Sequence, residues 1–565
     1  MAFDAIVIGS GMSGGIVAKE LCEKGLKVLM LERGNDVDPS TDYTDMVMPW
    51  EFPNNMAIPQ DELARDYPVQ SQCYALSEAT KHFFVKDSDH PYSTPADKPF
   101  TWIRGYHVGG RSIMWGRQSY RLSPMDFEAN AKDGYGCDWP IRYDDLAPWY
   151  SKIEDFIGVS GDKDGLDQLP DGDFLPGFEM NDAEKLFKAA IEAKFPTRKV
   201  VIGRTANLSE ARPHHEELGR TSCQNRSICE RGCSFGAMHS TLTSSLPAAR
   251  KTGNLTLITD AIVHSIIQDP VTGKASGVRV IDRKTMVGKT YEARIVFLNA
   301  SAIASAAILL NSTSEKNPRG LANRSDQVGR NLMDHMYALS TAGILPNGPK
   351  DSYYKGRRPT GLYIPRFRNV NEEADGYVRG YGYQGGVNRM GGKGTAMSRP
   401  GLVGAELKNA VRQFGPWMAF ISGFGEMLPN PDNRVTLHAT RKDKWGMAIP
   451  HIECAMGPNE AKMAKQILAD GKAMIEAAGG IVISQASEAG TPGLGIHEMG
   501  TARMGRDPNT SVFNGWNQAH DVPNLFCTDG AVMASSGCQN PSLTYMALSA
   551  RAADHAAKLL KEGQL

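Results

Sequence analysis

The sequence predicts an α/β protein with two domains, one of parallel strands alternating with helices and one built on an antiparallel sheet. Residues 4–34 show a strand–helix–strand pattern, and residues 295–310 return to a strand followed by a helix. Residues 337–483 instead contain short runs typical of antiparallel strands, interrupted by an amphipathic helix at 459–478. The chain of 565 residues is far longer than one ordinary domain requires.

Three glycines follow the first predicted strand, residues 5–8, in the pattern G-x-G-x-x-G. Gly9 permits the tight turn, Gly11 lets the backbone approach a pyrophosphate, and Gly14 lets the following helix pack closely on the strand. The phosphates would lie at the helix N-terminus, where free N–H groups favour negative charge. Glu32 ends the second strand, about 20 residues on, where an acid binding ribose hydroxyls is expected. The stretch predicts an adenine-dinucleotide site.

A second glycine-rich stretch lies at residues 104–116 and includes Gly109, Gly110 and Ser112. Small residues at this density indicate that the backbone closely approaches another group. We interpret the stretch as a second cradle for the dinucleotide, and an ordinary turn is the alternative. The irregular, proline-containing segment 35–99 before it is too long for a bare loop. It predicts a lid or wrapping insertion, although a surface segment without a role is equally compatible.

Composition excludes several classes of protein. The formal net charge is -1 and no block of like charge occurs, so nothing suggests nucleic-acid or polybasic membrane binding. No apolar run approaches the roughly 18 residues of a spanning helix. The N-terminus enters the first strand at once and leaves no room for a cleavable signal, which predicts either a cytoplasmic protein or export with a partner. The nine cysteines do not suggest a disulfide framework.

Polar residues that can perform chemistry concentrate near the C-terminus. His497 lies in a glycine-containing turn, Asp529 and Gly530 follow an apolar strand, and Asn540 precedes a helix predicted at 541–560. Because Pro541 suits the first helical position, Asn540 would be its N-cap. A lone histidine is usually structural, but one beside a dinucleotide is a candidate base.

Five stretches together resemble the glucose–methanol–choline (GMC) family of flavoprotein oxidoreductases over nearly the whole chain. They are GSGMSGG with LERG, HVGGRSIMWGR, VGRNLMDH, HEMGTARMG and CTDGAVMASSGCQNPSLTYMAL. The resemblance implies a Rossmann-like FAD-binding domain and an inserted substrate domain built on a large, mostly antiparallel sheet flanked by helices. The FAD domain would comprise residues 1–34, 100–120, 215–335 and 490–565, with 35–99 as the lid. The substrate domain would comprise residues 121–214 and 336–489.

The family mechanism, by this resemblance, is hydride transfer from an alcohol carbon to flavin N5 while a histidine takes the hydroxyl proton. His497 occupies that position, and a neutral imidazole can accept a proton at neutral pH. Asn540 stands where the family has a second histidine or asparagine, and its amide would orient the hydroxyl. Asp529 would contact the ribityl or pyrophosphate region of FAD. Met114 replaces a histidine to which some relatives attach FAD, which predicts non-covalent binding.

Cys223, Cys229 and Cys233 lie within eleven residues of one another, in a segment spanning 220–240. Zinc sites usually need four ligands, for which His239 would be the fourth, and metal-free packing is another alternative. The spacing resembles the segment with which FAD-dependent glucose dehydrogenases of the family hold a 3Fe-4S cluster. Thiolates suit such clusters. A cluster would pass electrons on singly and favours a dehydrogenase over an oxidase.

The chain is most similar to bacterial glucoside 3-dehydrogenases and to the catalytic subunits of FAD-dependent glucose dehydrogenases. That resemblance implies oxidation of C3 of a glucoside or hexose to a 3-keto sugar, a small exported partner subunit and a cytochrome c acceptor. Candidate sugar contacts are Gln384, Tyr383 and Trp417, chosen because amide and aromatic groups suit hydroxyls and sugar faces. An oxygen-using sugar oxidase and a flavin-binding protein without turnover are the alternatives.

Overall fold

The computed structural model describes residues 3–350, 358–391 and 401–565. Its strands form two large sheets and one two-stranded ribbon. In chain order they are β1 Phe3–Ile8, β2 Val28–Leu31, β3 Val201–Ile202, β4 Leu255–Ile258, β5 Ala261–Gln268, β6 Ala275–Asp282, β7 Gly288–Leu298, β8 His335–Leu345, β9 Leu362–Ile364, β10 Tyr381–Arg389, β11 Trp417–Glu426, β12 Arg434–Lys442, β13 Ala448–Glu453, β14 Ile481–Gln485 and β15 Leu525–Cys527.

The described residues also form twelve α-helices. They are α1 Met12–Glu23, α2 Pro39–Asp42, α3 Gln60–Asp66, α4 Pro124–Asp133, α5 Tyr143–Ile157, α6 Asp182–Lys194, α7 Pro213–Glu216, α8 Ser245–Lys251, α9 Ala302–Asn311, α10 Gly404–Arg412, α11 Pro458–Ala477 and α12 Ser542–Lys561. Among the described residues, no helix has both the length and the apolar composition needed to cross a bilayer.

The first sheet has seven strands in the order β4-β2-β1-β7-β6-β5, with β15 also paired to β7. Strands β1, β2, β4 and β15 run parallel to their neighbours, whereas β5, β6 and the first half of β7 form an antiparallel meander. The last residues of β7 are buried between β1 and β15. Parallel strands buried on both faces read as continuous apolar runs, which is the pattern that predicted them.

The second sheet has six antiparallel strands in the order β14-β8-β11-β10-β9-β3. Helix α11 packs across β8 and β11 and buries Met463, Ile467 and Met474, so the sheet is covered on that face. The predicted α/β fold, with a mostly antiparallel sheet flanked by helices, is therefore confirmed, and the first sheet is mixed rather than parallel throughout.

The two sheets share one core. Strands of the first sheet lie within residues 1–34, 215–335 and 490–565, and those of the second within 121–214 and 335–489, because β8 begins at His335. A single cluster of buried apolar residues nevertheless includes side chains from both sheets. The boundaries between the two domains therefore stay a prediction.

The predicted N-cap of the last helix is wrong. The last helix begins at Ser542, its N-cap is Pro541, and no side chain caps it. Asn540 is not the N-cap because its amide is bonded to His497 and Gln384 instead. The residue type that suits a cap also suits a binding site, and local sequence does not distinguish the two uses.

The segment 35–99 consists of short helical turns rather than a regular layer. It is held to the body of the protein by side-chain hydrogen bonds, among them Ser234 Oγ to Asp45 Oδ1 at 2.6 Å and Gln70 Nε2 to the Trp102 carbonyl at 3.0 Å. Several of its residues line the large cavity described below. The segment therefore covers part of the cavity, as a wrapping insertion would.

Candidate active site

A cavity of about 820 Å³ lies where the first sheet, the glycine-rich turns and the second sheet meet. Most of the site residues predicted from the sequence line it. They are Gly9, Gly11, Glu32, Gly110, Ser112, Gln384, His497, Asp529, Gly530 and Asn540. The cavity therefore gathers residues from distant parts of the chain.

The first glycine turn has the geometry that each glycine predicts. Gly9 has φ +95, and a Cβ there would lie 2.4 Å from the Asn299 carbonyl oxygen. A Cβ on Gly14 would lie 2.0 Å from the Gly9 carbonyl oxygen, so only glycine lets α1 pack this closely on the turn. A Cβ on Gly11 would meet nothing within 4 Å. Gly11 thus borders open space, where a ligand can approach the backbone.

Ser10 and Glu32 connect the two glycine-rich turns. The Ser10 hydroxyl donates to Glu32 Oε2 at 2.6 Å and accepts the Gly109 N–H at 3.0 Å. Glu32 Oε1 accepts the Gly34 N–H at 2.8 Å. Burial raises the pKa of the Glu32 carboxyl, which these hydrogen bonds oppose. The carboxylate predicted to bind ribose is therefore held in place at the cavity wall.

The second turn lies across the first. Gly109 and Gly110 both have positive φ, at +87 and +50, which glycine adopts without strain. The Ser112 hydroxyl donates to the Gly109 carbonyl at 2.6 Å and accepts the Thr241 N–H at 3.1 Å. A Cβ on Gly110 would be 3.7 Å from the Gly11 Cα. The two turns therefore lie close to each other at one side of the cavity.

Asp529 is fixed at the end of β15. Its Oδ2 accepts the Ser301 N–H at 2.9 Å and the Ser305 hydroxyl at 2.6 Å, and its Oδ1 accepts the Ala531 N–H at 2.9 Å. Burial raises the pKa of this carboxyl. Gly530 follows it, and a Cβ there would lie 2.4 Å from the Glu498 carbonyl oxygen. These contacts orient the carboxylate and keep the strand end compact.

Several buried polar groups at the cavity wall have no hydrogen-bond partner within the described part of the chain. They include Arg33 Nε, Arg104 Nε, Arg117 Nε, Asn299 Nδ2, Thr360 Oγ1 and the Tyr545 hydroxyl. Each can donate, and buried donors are normally satisfied. FAD is rich in acceptors, from its pyrophosphate to the carbonyls of its ring. The open Gly11 wall and these donors fit FAD in the cavity.

His497 and Asn540 meet inside the cavity. Asn540 Nδ2 lies 3.3 Å from His497 Nε2, and Gln384 Nε2 donates to Asn540 Oδ1 at 2.5 Å. Burial lowers the pKa of His497 well below its ordinary value, and Arg111 and His335 act in the same direction. The imidazole is therefore neutral at physiological pH and can accept a proton.

The other ring nitrogen of His497, Nδ1, forms a hydrogen bond with a second histidine. His335 Nδ1 and His497 Nδ1 are 2.8 Å apart, and His335 Nε2 lies 2.8 Å from the Gly537 carbonyl oxygen. Burial lowers the pKa of His335 to about 4. Phe424 packs edge-on or tilted against both rings, with centroids 6.5 and 6.2 Å away. The histidine pair thus lies in largely apolar surroundings.

Asp334 positions the segment that carries His497. Its carboxylate accepts the N–H groups of Gly493 at 2.7 Å, Gly495 at 2.9 Å and His497 at 3.0 Å. Burial raises the pKa of Asp334 to about 7. Next to His497, Glu498 forms a two-point ion pair with Arg111, at 3.0 and 2.7 Å. Both contacts limit movement of the imidazole.

Four residues of this site were not predicted from the sequence: Asp334, His335, Arg111 and Glu498. The first two lie in the VGRNLMDH stretch that contributes to the family resemblance, and that motif was the available signal. Its chemistry was not visible because its partners are remote in sequence.

Of the three candidate sugar contacts, the structure places only Gln384 at the cavity. Tyr383 donates its hydroxyl to the Ile467 carbonyl at 2.6 Å, on the α11 side of the sheet. Neighbouring residues of a strand point to opposite faces, so Tyr383 and Gln384 cannot both face the cavity. Trp417 is buried and donates its indole N–H to the Pro349 carbonyl at 2.8 Å. Tyr383 and Trp417 are therefore packing residues.

The cysteine segment adjoins the cavity without lining it through its thiols. Burial raises the pKa of Cys223 to about 11, and the neighbouring Cys229 and Cys233 thiols act in the same direction. The Asn225 N–H donates to Cys223 Sγ at 3.4 Å. Arg117, which lines the cavity, acts to lower the pKa of Cys229. The Cys223 thiol therefore lies near the other two thiols, a cation and a backbone donor.

In the part of the chain that the structure describes, no three His, Cys, Asp or Glu side chains form a group able to hold a metal ion. His239, the candidate fourth zinc ligand, bonds through Nδ1 to the Ser244 hydroxyl at 2.7 Å. The zinc alternative therefore has no ligand set here. In an iron–sulfur cluster each thiolate binds a different iron, so the thiols lie further apart than around one ion. The cluster stays a prediction.

Known proteins resemble this chain in both sequence and fold. Two family models described as "GMC oxidoreductase" match residues 3–337 and 429–549. The fructose dehydrogenase large subunit of Gluconobacter japonicus is 29% identical, covering 100% of this chain and 99% of that protein. The 2-methyl-1,2-propanediol dehydrogenase of Mycolicibacterium austroafricanum is 29% identical, covering 98% and 94%.

Among solved structures, pyridoxine 4-oxidase from Mesorbium loti superposes with a TM-score of 0.59 at 16% identity, covering 98% of this chain and 99% of that one. This likeness shows the fold. The match to the family spans both glycine-rich turns, the histidine pair and the Asn540 region. The chain therefore belongs to the GMC oxidoreductase family and is an FAD-dependent oxidoreductase that acts on CH–OH groups.

Proposed function

We propose that this protein is an FAD-dependent sugar dehydrogenase that oxidises a secondary alcohol of a glucoside or hexose. The observation that carries the proposal is the pair of His497 Nε2 and Asn540 Nδ2, 3.3 Å apart and open to the cavity. A hydroxyl group placed between them can donate its proton to the imidazole and accept the amide N–H. This is the arrangement that general-base activation of an alcohol needs.

The chain's own residues would bind, orient and deprotonate the substrate. His497 takes the hydroxyl proton at Nε2, and Asn540 holds the oxygen from which it leaves. FAD, when bound, supplies the hydride acceptor for the carbon. Glu32, Asp529 and the glycine turns would hold the dinucleotide without a covalent bond, since Met114 stands where a tether would be. Phe424 at the cavity wall limits water around the imidazoles.

The sugar and its carbon are the finer part of the proposal. Relatives named for fructose and diol substrates support polyhydroxylated alcohols. The amide of Gln384 lies at the cavity wall, next to Asn540, and offers a further hydrogen-bonding group for a neighbouring hydroxyl. The resemblance of the cysteine segment to glucoside 3-dehydrogenases favours C3, with a 3-keto sugar as product.

Electrons would leave through a 3Fe-4S cluster on Cys223, Cys229 and Cys233. The neighbouring thiols, the N–H donor to Cys223 and the nearby Arg117 support this assignment, because charge and hydrogen bonds to sulfur tune such clusters. Such a cluster supplies one-electron transfer to a protein acceptor. The partners would be a small exported subunit and a cytochrome c, and the site of action the periplasm. Without such a partner the protein would act in the cytoplasm.

Anaerobic titration of the purified protein with methyl glucosides, glucose and fructose tests the proposal. Bleaching of the flavin by at least one sugar is expected, and mass and NMR analysis of the product will identify the oxidised carbon. Iron and sulfide analysis of the same sample tests the cluster. Peroxide formation in air without iron would favour the oxidase alternative, and flavin that no sugar or alcohol bleaches would refute the proposal.

A further inference from the structure

A continuous chain of hydrogen bonds runs through the catalytic pair and ends outside it on both sides. At one end, His335 Nε2 lies 2.8 Å from the Gly537 carbonyl oxygen, and His335 Nδ1 lies 2.8 Å from His497 Nδ1. At the other end, Gln384 Nε2 lies 2.5 Å from Asn540 Oδ1. The amide and imidazole in the middle, Asn540 Nδ2 and His497 Nε2, are 3.3 Å apart.

The Gly537 carbonyl fixes the direction of this chain. A carbonyl oxygen only accepts, so His335 Nε2 must carry a hydrogen. A neutral imidazole has one donor and one acceptor, so His335 Nδ1 accepts and His497 Nδ1 donates to it. Neutral His497 then has no hydrogen on Nε2. The nitrogen that faces the cavity is therefore the one able to take a proton.

At the opposite end of this row of hydrogen bonds, Gln384 sets the orientation of the Asn540 amide. The Gln384 amide N–H donates to Asn540 Oδ1, which turns the Asn540 N–H group toward His497. Rotating that amide by half a turn would bring two N–H groups together at Gln384. Asn540 is thus held with its donor, not its acceptor, beside His497 Nε2.

We propose that His335 and Gln384 are positioning residues for the alcohol oxidation. His335 holds His497 in the tautomer whose Nε2 is unprotonated, and Gln384 holds the Asn540 amide with its N–H toward the substrate oxygen. The inference rests on the proposed function. In the reaction the O–H bond breaks and an N–H bond forms at His497 Nε2, giving an imidazolium whose Nδ1–H still donates to neutral His335. FAD, when bound, would accept the hydride that leaves the alcohol carbon.

The arrangement depends on a neutral His335. The ionisable groups around the histidine pair and its segment include Asp334, Glu498, Arg111 and Tyr545, and Glu426 lies opposite His335 on β11. Arg111 is paired with Glu498 and Glu426 with Arg379, while the Asp334 carboxylate is directed to backbone N–H groups of the His497 segment. Burial also lowers the pKa of His335 to about 4. Above that pH His335 stays neutral, and the hydrogen bonds from the Gly537 carbonyl to His497 keep their direction.

Two substitutions separate hydrogen-bond polarity from packing. H335Q keeps an acceptor for His497 Nδ1 and a donor for the Gly537 carbonyl, whereas H335L fills the space without either. We expect anaerobic flavin reduction at saturating sugar to slow about 10²–10⁴-fold in H335L, the usual contribution of a general base. H335Q should recover most of the rate. Half-saturating sugar concentration and FAD content should stay near wild-type values in both.

Gln384 has its own matched pair. Q384E presents a carboxylate to Asn540 Oδ1, which favours the rotated amide and removes the N–H from the substrate position. Q384M removes the donor without adding an acceptor. We expect Q384E to slow flavin reduction more than Q384M. Equal rates in the two variants would overturn the role assigned to Gln384.

A spectroscopic measurement on the wild-type protein covers the case in which H335L fails to fold. Nitrogen-15 NMR of histidine-labelled holoenzyme distinguishes protonated from unprotonated ring nitrogens, and H497Q identifies the resonance of His497. An unprotonated Nε2 is expected, and a protonated Nε2 at neutral pH would overturn the inference. So would wild-type flavin reduction rates in folded H335L. If no alcohol bleaches the wild-type flavin, the proposed function fails, while the NMR result still decides the tautomer.

Discussion

Replacing Asn540 by aspartate tests directly whether His497 is the base. The substitution is nearly isosteric, so the site keeps its shape, but it puts a carboxylate in the place of the amide. That carboxylate would lie 3.3 Å from His497 Nε2. An opposite charge at this distance favours the imidazolium.

The distance gives the expected size of the effect. Two unit charges 3.3 Å apart interact by about 5 kcal/mol at an effective dielectric constant of about 20, enough to raise the pKa of His497 by about 3.7. A base works only when unprotonated, so its activity is lost as the pH falls through its pKa. Raising the pKa of His497 therefore moves this loss of activity to higher pH.

The measurement is the rate of anaerobic flavin reduction by sugar between about pH 5 and 10, in the wild type, N540D and N540A. We expect N540D to be slow at neutral pH and to recover at alkaline pH, with its acid limb displaced by at least about two pH units. N540A lacks the amide but adds no charge, so it should be slower with an unmoved acid limb. Coincident acid limbs in N540D and N540A would refute the placement of His497 as the base.

Three further predictions concern the base, the dinucleotide turn and the cysteines. H497A should retain FAD yet slow flavin reduction about 10²–10⁴-fold, and unchanged stopped-flow bleaching would contradict its role. G14A, whose Cβ would lie 2.0 Å from a backbone carbonyl, should lower both Tm and FAD content. G11A, with nothing within 4 Å of its Cβ, should keep its fold and lose FAD affinity. Full retention of FAD in G11A would contradict binding of the pyrophosphate at Gly11. C229A should lower iron content while sugar still reduces the flavin, and C454A, another buried cysteine, is the matched control; full iron in C229A would count against the cluster.

The first βαβ unit was predictable because its contacts are local. Apolar runs and the glycine spacing mark β1, α1 and β2, and the close contact of Gly14 is with Gly9 in the same turn. The apolar pattern predicts the helix over residues 16–23, but it begins at Met12, because the glycine-rich turn hides its first residues from that pattern. The type of each element was therefore correct and one boundary was not.

The substrate side of the site could not be derived in the same way. Aromatic and amide residues near β10 and β11 all suited a sugar, yet strand alternation sends Gln384 to the cavity and Tyr383 toward α11. The sequence does not state which face of a strand a cavity will occupy. Asn540 likewise matched a helix cap and a binding residue equally well.

The sequence by itself predicted the dinucleotide turn, the family, and His497 and Asn540 as candidate catalytic residues, since each depends on residue types at short, fixed spacings. The tertiary structure alone decided how His497 is oriented, because its partner His335 is 162 residues away and the Gly537 carbonyl is 202 residues from His335. Hydrogen-bond direction is set by which groups meet in space. Only the packing of β8 against the C-terminal segments brings the donor, the acceptor and the carbonyl into one line.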